Sequence, residues 1–262
     1  MVTTAVIFDL DGTLAYTIED ITTAINKMLD KLGYDKRTLE EVLGYINKGA
    51  RNLVRLSLPK SVQDVEFIVD SALGIYEEEY EECFLEKTKA YEDVISMLEH
   101  LKDMKVRIGV LSNKQDKFVK PMIEKLFGKD TFNVVMGQGP FPTKPNPACA
   151  LHMCTAMGAK PFRCIFVGDS DIDIKTALNA EMTAIGVSWG YRSVEVLKDA
   201  GAHYIAECPE DILKITGEIV ERNNAKKKKI KAPRAEKATS AEQKMAAENS
   251  AEPREETEQG TE

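Results

Sequence analysis

No stretch of this chain is apolar for long enough to cross a membrane as a helix, which needs about 20 such residues. Cysteine is scarce and odd in number: Cys83, Cys149, Cys154, Cys164 and Cys208, without close CxxC spacing. That argues against a disulfide framework and suits reduced, mostly buried thiols. Cys149, His152 and Cys154 fall on an expected helix over 146–157, spread over its surface without the usual zinc-ligand pairs, and Cys164 does not complete a set. His100 and His203 have no evident partner. The N-terminus lacks the basic region and cleavage pattern of a signal peptide, so a cytoplasmic location is expected. Positive charge is also in deficit. The net charge is −8, and the stretch from Arg222 onward holds 10 Lys+Arg against 8 Asp+Glu, which leaves the body at 25 against 35, or −10. An acidic body argues against a broad nucleic-acid-binding face. An anionic substrate would need positive charge placed locally.

What is present is organised around Val6-Ile7-Phe8-Asp9-Leu10-Asp11-Gly12-Thr13. An apolar run ends in two carboxylates one residue apart, followed by a turn signal. Ala5 to Phe8 reads as a buried strand with Asp9 and Asp11 at its C-terminal end, where open parallel sheets bind ligands. Strand alternation lets both carboxylates face one site. Their mutual repulsion favours a bound cation or a shared proton. Gly12 admits a ligand close to the backbone, and Thr13 adds a hydroxyl.

Three more polar clusters follow strand-like runs. Val106 to Leu111 ends in Ser112-Asn113-Lys114, read as a hydroxyl and backbone N–H groups opening a helix, a natural anion site. Phe132 to Met136 leads to a Gly/Pro-rich loop with Lys144, which Pro145 holds out of helical conformation. Cys164 to Val167 ends in Gly168-Asp169-Ser170-Asp171-Ile172-Asp173, opening a helix through Ala180. Ala184 to Val187 and an edge strand Tyr204–Ala206 complete a parallel sheet, and Pro209 to Val220 is a closing helix.

Between Ala15 and Glu86 the spacing predicts only helices: Thr17–Leu32 with Thr17 as cap, Leu39–Ile46, Ala50–Leu56 and Ser61–Phe84. Tyr91–Met104 and Phe118–Phe127 are further amphipathic helices. A helical block directly after a sheet strand implies an inserted cap. The expected division is therefore 1–15 with 87–221 as an α/β core, 16–86 as the cap, and 222–262 as a disordered charged tail. The basic run Lys226–Lys229 is a possible contact for an anionic partner.

With these clusters in this order, residues 2 to 220 resemble the haloacid dehalogenase superfamily of phosphohydrolases. The motifs are Asp9-Leu10-Asp11-Gly12-Thr13, Leu111-Ser112-Asn113, Lys144-Pro145, and Gly168-Asp169-Ser170 with Asp173. More narrowly, Gly49-Ala50-Arg51-Asn52-Leu53-Val54, Leu111-Ser112-Asn113-Lys114 and Gly186 to Ser193 look like the phosphoglycolate phosphatase group. The resemblance implies a Rossmann-like core with a helical cap after the first strand. It implies Asp9 as nucleophile, forming an aspartyl-phosphate, and Asp11 as proton donor and acceptor. Mg²⁺ would be held by Asp9, the Asp11 carbonyl and Asp169. Thr13, Ser112, Asn113 and Lys144 would bind phosphate, with Asp173 orienting Lys144 or the metal shell. Arg51 is the candidate for the substrate's anionic end. The sequence departs from the group at Ala15-Tyr16-Thr17, where Val-Asp-Ser is usual, at Ala90 to Val94, which lacks a Pro-Gly pair, and at Glu181, where Gly is usual.

The leading expectation is a Mg²⁺-dependent phosphomonoester hydrolase, with 2-phosphoglycolate the best single substrate. The alternatives are a phosphomutase of the β-phosphoglucomutase type, a pyrophosphatase, and a catalytically silent binding module. Oligomeric state is not legible.

Overall fold

The four residues Ala5–Phe8 form β1, and every one is fully buried, as expected of a central parallel strand covered on both faces. The computed structural model describes residues 3–225. The chain divides between Ile219 and Val220. The run Lys226–Lys229 and the rest of the expected tail from 226 lie outside the described residues.

The main sheet contains β1, β4 (Arg107–Gln115), β5 (Val134–Gln138), β6 (Cys164–Gly168), β7 (Thr183–Val187) and β8 (Tyr204–Ala206). Its order is β5-β4-β1-β6-β7-β8, and every pairing is parallel. The sequence order reverses at β1, which places a binding crevice beyond its C-terminal end. Phe8 pairs with Val110 on one side and Val167 on the other, so the residues following all three strands come level at one edge.

Helices α5 (Val94–Asp103), α6 (Asp116–Phe127), α7 (Ala148–Ala156), α8 (Asp171–Asn179) and α9 (Val194–Asp199) accompany the sheet. Ala5 and Ile7 share one apolar cluster with α7, α8 and Leu197 of α9. Val6 and Phe8 point the other way by strand alternation. Cys149, Cys154 and Cys164 are buried in that first cluster as free thiols, in line with a structural role.

The helical block contains α1 (Ile18–Lys31), α2 (Leu39–Tyr45), α3 (Ala50–Ser57) and α4 (Glu66–Cys83). These pack on each other around Ile25, Met28, Val42, Val54, Val69 and Tyr80, a cluster separate from that of the sheet. Lys27 and Lys31 of α1 reach across to Glu79 of α4. The block is entered and left through a two-stranded antiparallel ribbon, β2 (Ala15–Tyr16) paired with β3 (Lys89–Ala90). No helix among the described residues is long and apolar enough to cross a membrane.

Several boundaries differ from expectation, each for a local reason. The fourth cap helix begins at Glu66 rather than Ser61. Residues 59–65 are held as a turn by Gln63, which donates to the Leu58 carbonyl and accepts from Arg55. Helix α5 begins at Val94 because Asp93 lies in the left-handed region at φ 60°. Strand β4 runs on to Gln115, so Ser112 does not open a helix; α6 starts at Asp116. The ribbon and α9 were not anticipated, since two residues carry no periodicity and α9 is a short turn capped by Ser193.

Candidate active site

Asp9 stands directly beyond β1, and its N–H donates to the Val167 carbonyl of β6 at 2.9 Å. Its carboxylate is 4% exposed. Oδ1 accepts from the Leu10 N–H at 2.7 Å and pairs with Lys144 Nζ at 2.8 Å. Oδ2 takes no hydrogen bond from the described residues.

Lys144 reaches this point from the loop before α7. Asn113, at the end of β4, grips its backbone on both sides: Asn113 Oδ1 accepts from the Lys144 N–H at 2.8 Å, and Nδ2 donates to the Lys144 carbonyl at 3.1 Å. The same Nδ2 donates to the Asn47 carbonyl at 3.0 Å, tying core to helical block. The Lys144 ammonium is buried between Asp9 and Asp173, with Asp173 Oδ1 at 2.6 Å. Burial alone would lower its pKa, but the two carboxylates more than offset this and raise it. Asp173 spends its other oxygen on a capping box, accepting from the Ser170 N–H and hydroxyl at 3.1 and 2.6 Å.

Asp169 is fully buried beyond β6. It accepts from the Tyr191 N–H at 2.8 Å and lies 3.5 Å from the Thr13 hydroxyl. Two glycines enclose it. A Cβ on Gly12, which has φ +82°, would sit 2.3 Å from Asp169 Oδ2, and one on Gly190 would sit 2.1 Å from Asp169 Cβ. Only glycine fits at either position.

Asp9, Asp169 and Asp173 present oxygens within 4.8 Å of one another. Three buried carboxylates share one ammonium, which leaves negative charge in excess. Burial, followed by the Asp173 charge, raises Asp9 well above the ordinary carboxylate value and pushes Asp169 up to about 7. A hard, oxygen-ligated divalent cation fits this donor set on charge and on chemistry. Asp173 gives one oxygen to the Lys144 ammonium and the other to Ser170, which leaves Asp9 Oδ2 and the Asp169 oxygen facing the Thr13 hydroxyl at 3.5 Å as the freer donors.

Asp11 stands apart from that cluster. Its Oδ1 accepts from the Thr17 hydroxyl at 2.6 Å and from Lys114 Nζ at 2.7 Å. Thr17 therefore does not cap α1 with its side chain, and no capping box forms there. Asp20, three residues on, accepts instead from the Lys87 and Thr88 N–H groups. The Thr17 N–H in turn donates to the Tyr191 hydroxyl at 2.8 Å. Tyr16, at the ribbon, packs edge-on against Tyr91 and Tyr191.

Above these groups is an open cavity, lined by Asp9, Asp11, Ser112, Lys114 and Lys144 from the core and largely by apolar side chains of the helical block. The structure thus brings together Asp9, Asp11, Ser112, Lys144, Asp169 and Asp173. Thr13 and Asn113 are present, but their side chains serve the framework: one faces Asp169, the other clamps the Lys144 loop. Arg51 lies elsewhere. Its guanidinium pairs with Glu66 and Asp70 of α4 and does not line the cavity. Its position on the first turn of α3 turns it toward that acidic helix.

Sequence reasoning passed over Lys114, Thr17, Tyr80 and Tyr191. Lys114 carried a usable signal. It lies two residues beyond Ser112 in the same polar cluster, so the strand end that presents the hydroxyl also carries a cation.

A model of the haloacid dehalogenase-like hydrolase family matches residues 6–187. A phosphoglycolate phosphatase of Psychrobacter arcticus is 34% identical over 192 residues, covering 71% of this chain and 83% of its own length. Phosphoglycolate phosphatase 1 of Pseudomonas aeruginosa is 30% identical over 220 residues, 82% of this chain and 80% of that one. Among solved structures, one described as a predicted phosphoglycolate phosphatase from Haemophilus somnus superposes with a TM-score of 0.76 at 27% identity, covering 82% of this chain and 98% of that chain.

Proposed function

The chain belongs to the haloacid dehalogenase-like hydrolase family, and on that premise we propose that it hydrolyses a small anionic phosphomonoester, with 2-phosphoglycolate as the substrate. The observation that carries this reading is the separation of roles between two neighbouring carboxylates. Asp9 lies inside the buried charged cluster with Oδ2 uncommitted, and Asp11 lies outside it at the cavity wall. The relatives named for phosphoglycolate support the choice of substrate.

Asp9 Oδ2 attacks phosphorus, forming an aspartyl-phosphate as the P–O bond to the leaving alcohol breaks. Asp11 gives that oxygen a proton, then takes one from the water that cleaves the acyl phosphate, returning Asp9 as carboxylate and releasing phosphate. Ser112 and Lys144 face the transferring oxygens, where charge neutralisation is the main catalytic requirement. Mg²⁺ held by Asp9, Asp169 and the Asp11 carbonyl would offset the repulsion between carboxylate and phosphate. Asp173 keeps the Lys144 ammonium in place. Residues 16–86 act as the cap, moving on the β2–β3 ribbon over a core of 1–15 and 87–221.

The test is phosphate release from 2-phosphoglycolate, p-nitrophenyl phosphate and pyrophosphate, with Mg²⁺ and with a chelator. The reading requires Mg²⁺-dependent turnover in which 2-phosphoglycolate leads in kcat/KM. Turnover of pyrophosphate alone, or of nothing, overturns it.

A further inference from the structure

With Arg51 turned outward, the cavity holds two ammonium groups among its lining residues, Lys144 and Lys114. Lys144 is spent between Asp9 and Asp173. The rest of the lining is mostly apolar, with Ile21, Ile46, Leu53, Phe118 and the Tyr76 ring, and its other polar side chains, among them Asn47 and Gln115, carry no positive charge. A second anionic group on the substrate would enter this wall at a high desolvation cost unless a charged donor met it.

Lys114 is placed to meet it. Its side chain is 8% exposed, and Nζ lies 2.7 Å from both Asp11 Oδ1 and the Tyr80 hydroxyl. An ammonium has three N–H donors, so one stays uncommitted after these two bonds. Tyr80 accepts from Lys114, and its own O–H has no acceptor among the described residues. Burial raises the Tyr80 pKa well above that of a free phenol, so the donor is retained. Two unspent donors therefore sit side by side on the cavity lining, one from β4 and one from α4.

We propose that Lys114 and Tyr80 form the subsite that reads a carboxylate on the carbon next to the phosphoester oxygen. This rests on the phosphomonoester reading above and names the residues that select its substrate. A carboxylate held there bridges core and helical block.

The subsite can be tested without turnover. The full chain, with Mg²⁺, is titrated calorimetrically with 3-phosphonopropionate and with propylphosphonate. The first replaces the ester oxygen of 2-phosphoglycolate with CH₂ and cannot be hydrolysed; the second also replaces the carboxylate with CH₃. The expected preference for the carboxylate is about 10- to 100-fold, the worth of a charged hydrogen-bonded contact. Lys114→Met should bring the affinity ratio to roughly one, and Tyr80→Phe, which keeps the ring, should reduce it by about 3- to 10-fold. If Lys114→Met binds neither phosphonate, Lys114→Gln, which keeps a donor without the charge, decides the same ratio. An absent preference in the parent chain, or one that survives loss of the Lys114 charge, overturns the proposal. Failure of the phosphatase reading looks different: 2-phosphoglycolate is not hydrolysed, yet the phosphonate preference and its dependence on Lys114 remain.

Discussion

The Thr17 hydroxyl donates to Asp11 Oδ1 at 2.6 Å, so the residue that opens the first cap helix holds the carboxylate assigned to proton transfer. Thr17 is fully buried and follows the β2 ribbon directly. This hydrogen bond ties the start of the helical block to the orientation of Asp11. Thr17→Val keeps the shape and removes the hydroxyl. It should lower kcat by about 10-fold or more, with a smaller change in KM, measured on 2-phosphoglycolate at saturating Mg²⁺.

Asp9→Asn should abolish turnover, by at least about 10⁴-fold as for removal of a nucleophile, while leaving the fold intact. Because Asp9 is one of three carboxylates crowded around Lys144, the metal-free variant should melt no lower than the parent chain. Retained phosphate release, or a collapsed melting transition, would remove the nucleophile assignment.

Metal removal should make stability depend on pH with an unusual sign. Burial and the Asp173 charge push the Asp169 carboxyl up to about 7 from an ordinary 3.8, and they raise Asp9 in the same direction. The folded chain then holds protons that the unfolded chain has released, so the native state binds more protons across that window. Its contribution to stability is present below the ordinary carboxylate value and is lost as pH rises through the folded value. In chelator, these two groups should lower the melting temperature as pH climbs through that range. Mg²⁺, which needs deprotonated carboxylates, should restore more stability at roughly pH 8 than at roughly pH 5. Thermal melts of the parent chain and Asp169→Asn across pH, with and without Mg²⁺, check both statements.

Arg51→Ala should leave the preference for 2-phosphoglycolate over p-nitrophenyl phosphate unchanged, because Arg51 faces Glu66 and Asp70 outside the cavity. Steady-state kinetics on both substrates decide this. A selective loss on 2-phosphoglycolate would return Arg51 to the site.

Glu181 occupies the left-handed region at φ 56°, at the position where the related group carries glycine. A side chain there is strained against its own backbone. Glu181→Gly should stabilise the chain by about 1 kcal/mol in denaturant titration.

The sequence alone determined the sheet strands and the edge at which they deliver Asp9, Ser112 and Asp169. Short, wholly apolar runs ending in polar clusters leave a buried parallel strand few alternatives. It also determined the helical block, whose apolar spacing over α1 is continuous and whose buried cluster takes only Phe118 from outside the block. Only the tertiary structure decided which polar groups face each other. Thr17 reads locally as a helix cap, yet its hydroxyl turns to Asp11, because folding brings a buried charged acceptor within reach. Arg51 and Lys114 are equivalent cations in sequence. One is captured by an acidic helix on the outer face of the block, and the other is carried by the extra length of β4 into the cavity. Periodicity encodes which side of an element a residue occupies. It does not encode the long-range partners that compete for a side chain, and those partners decided the composition of this site.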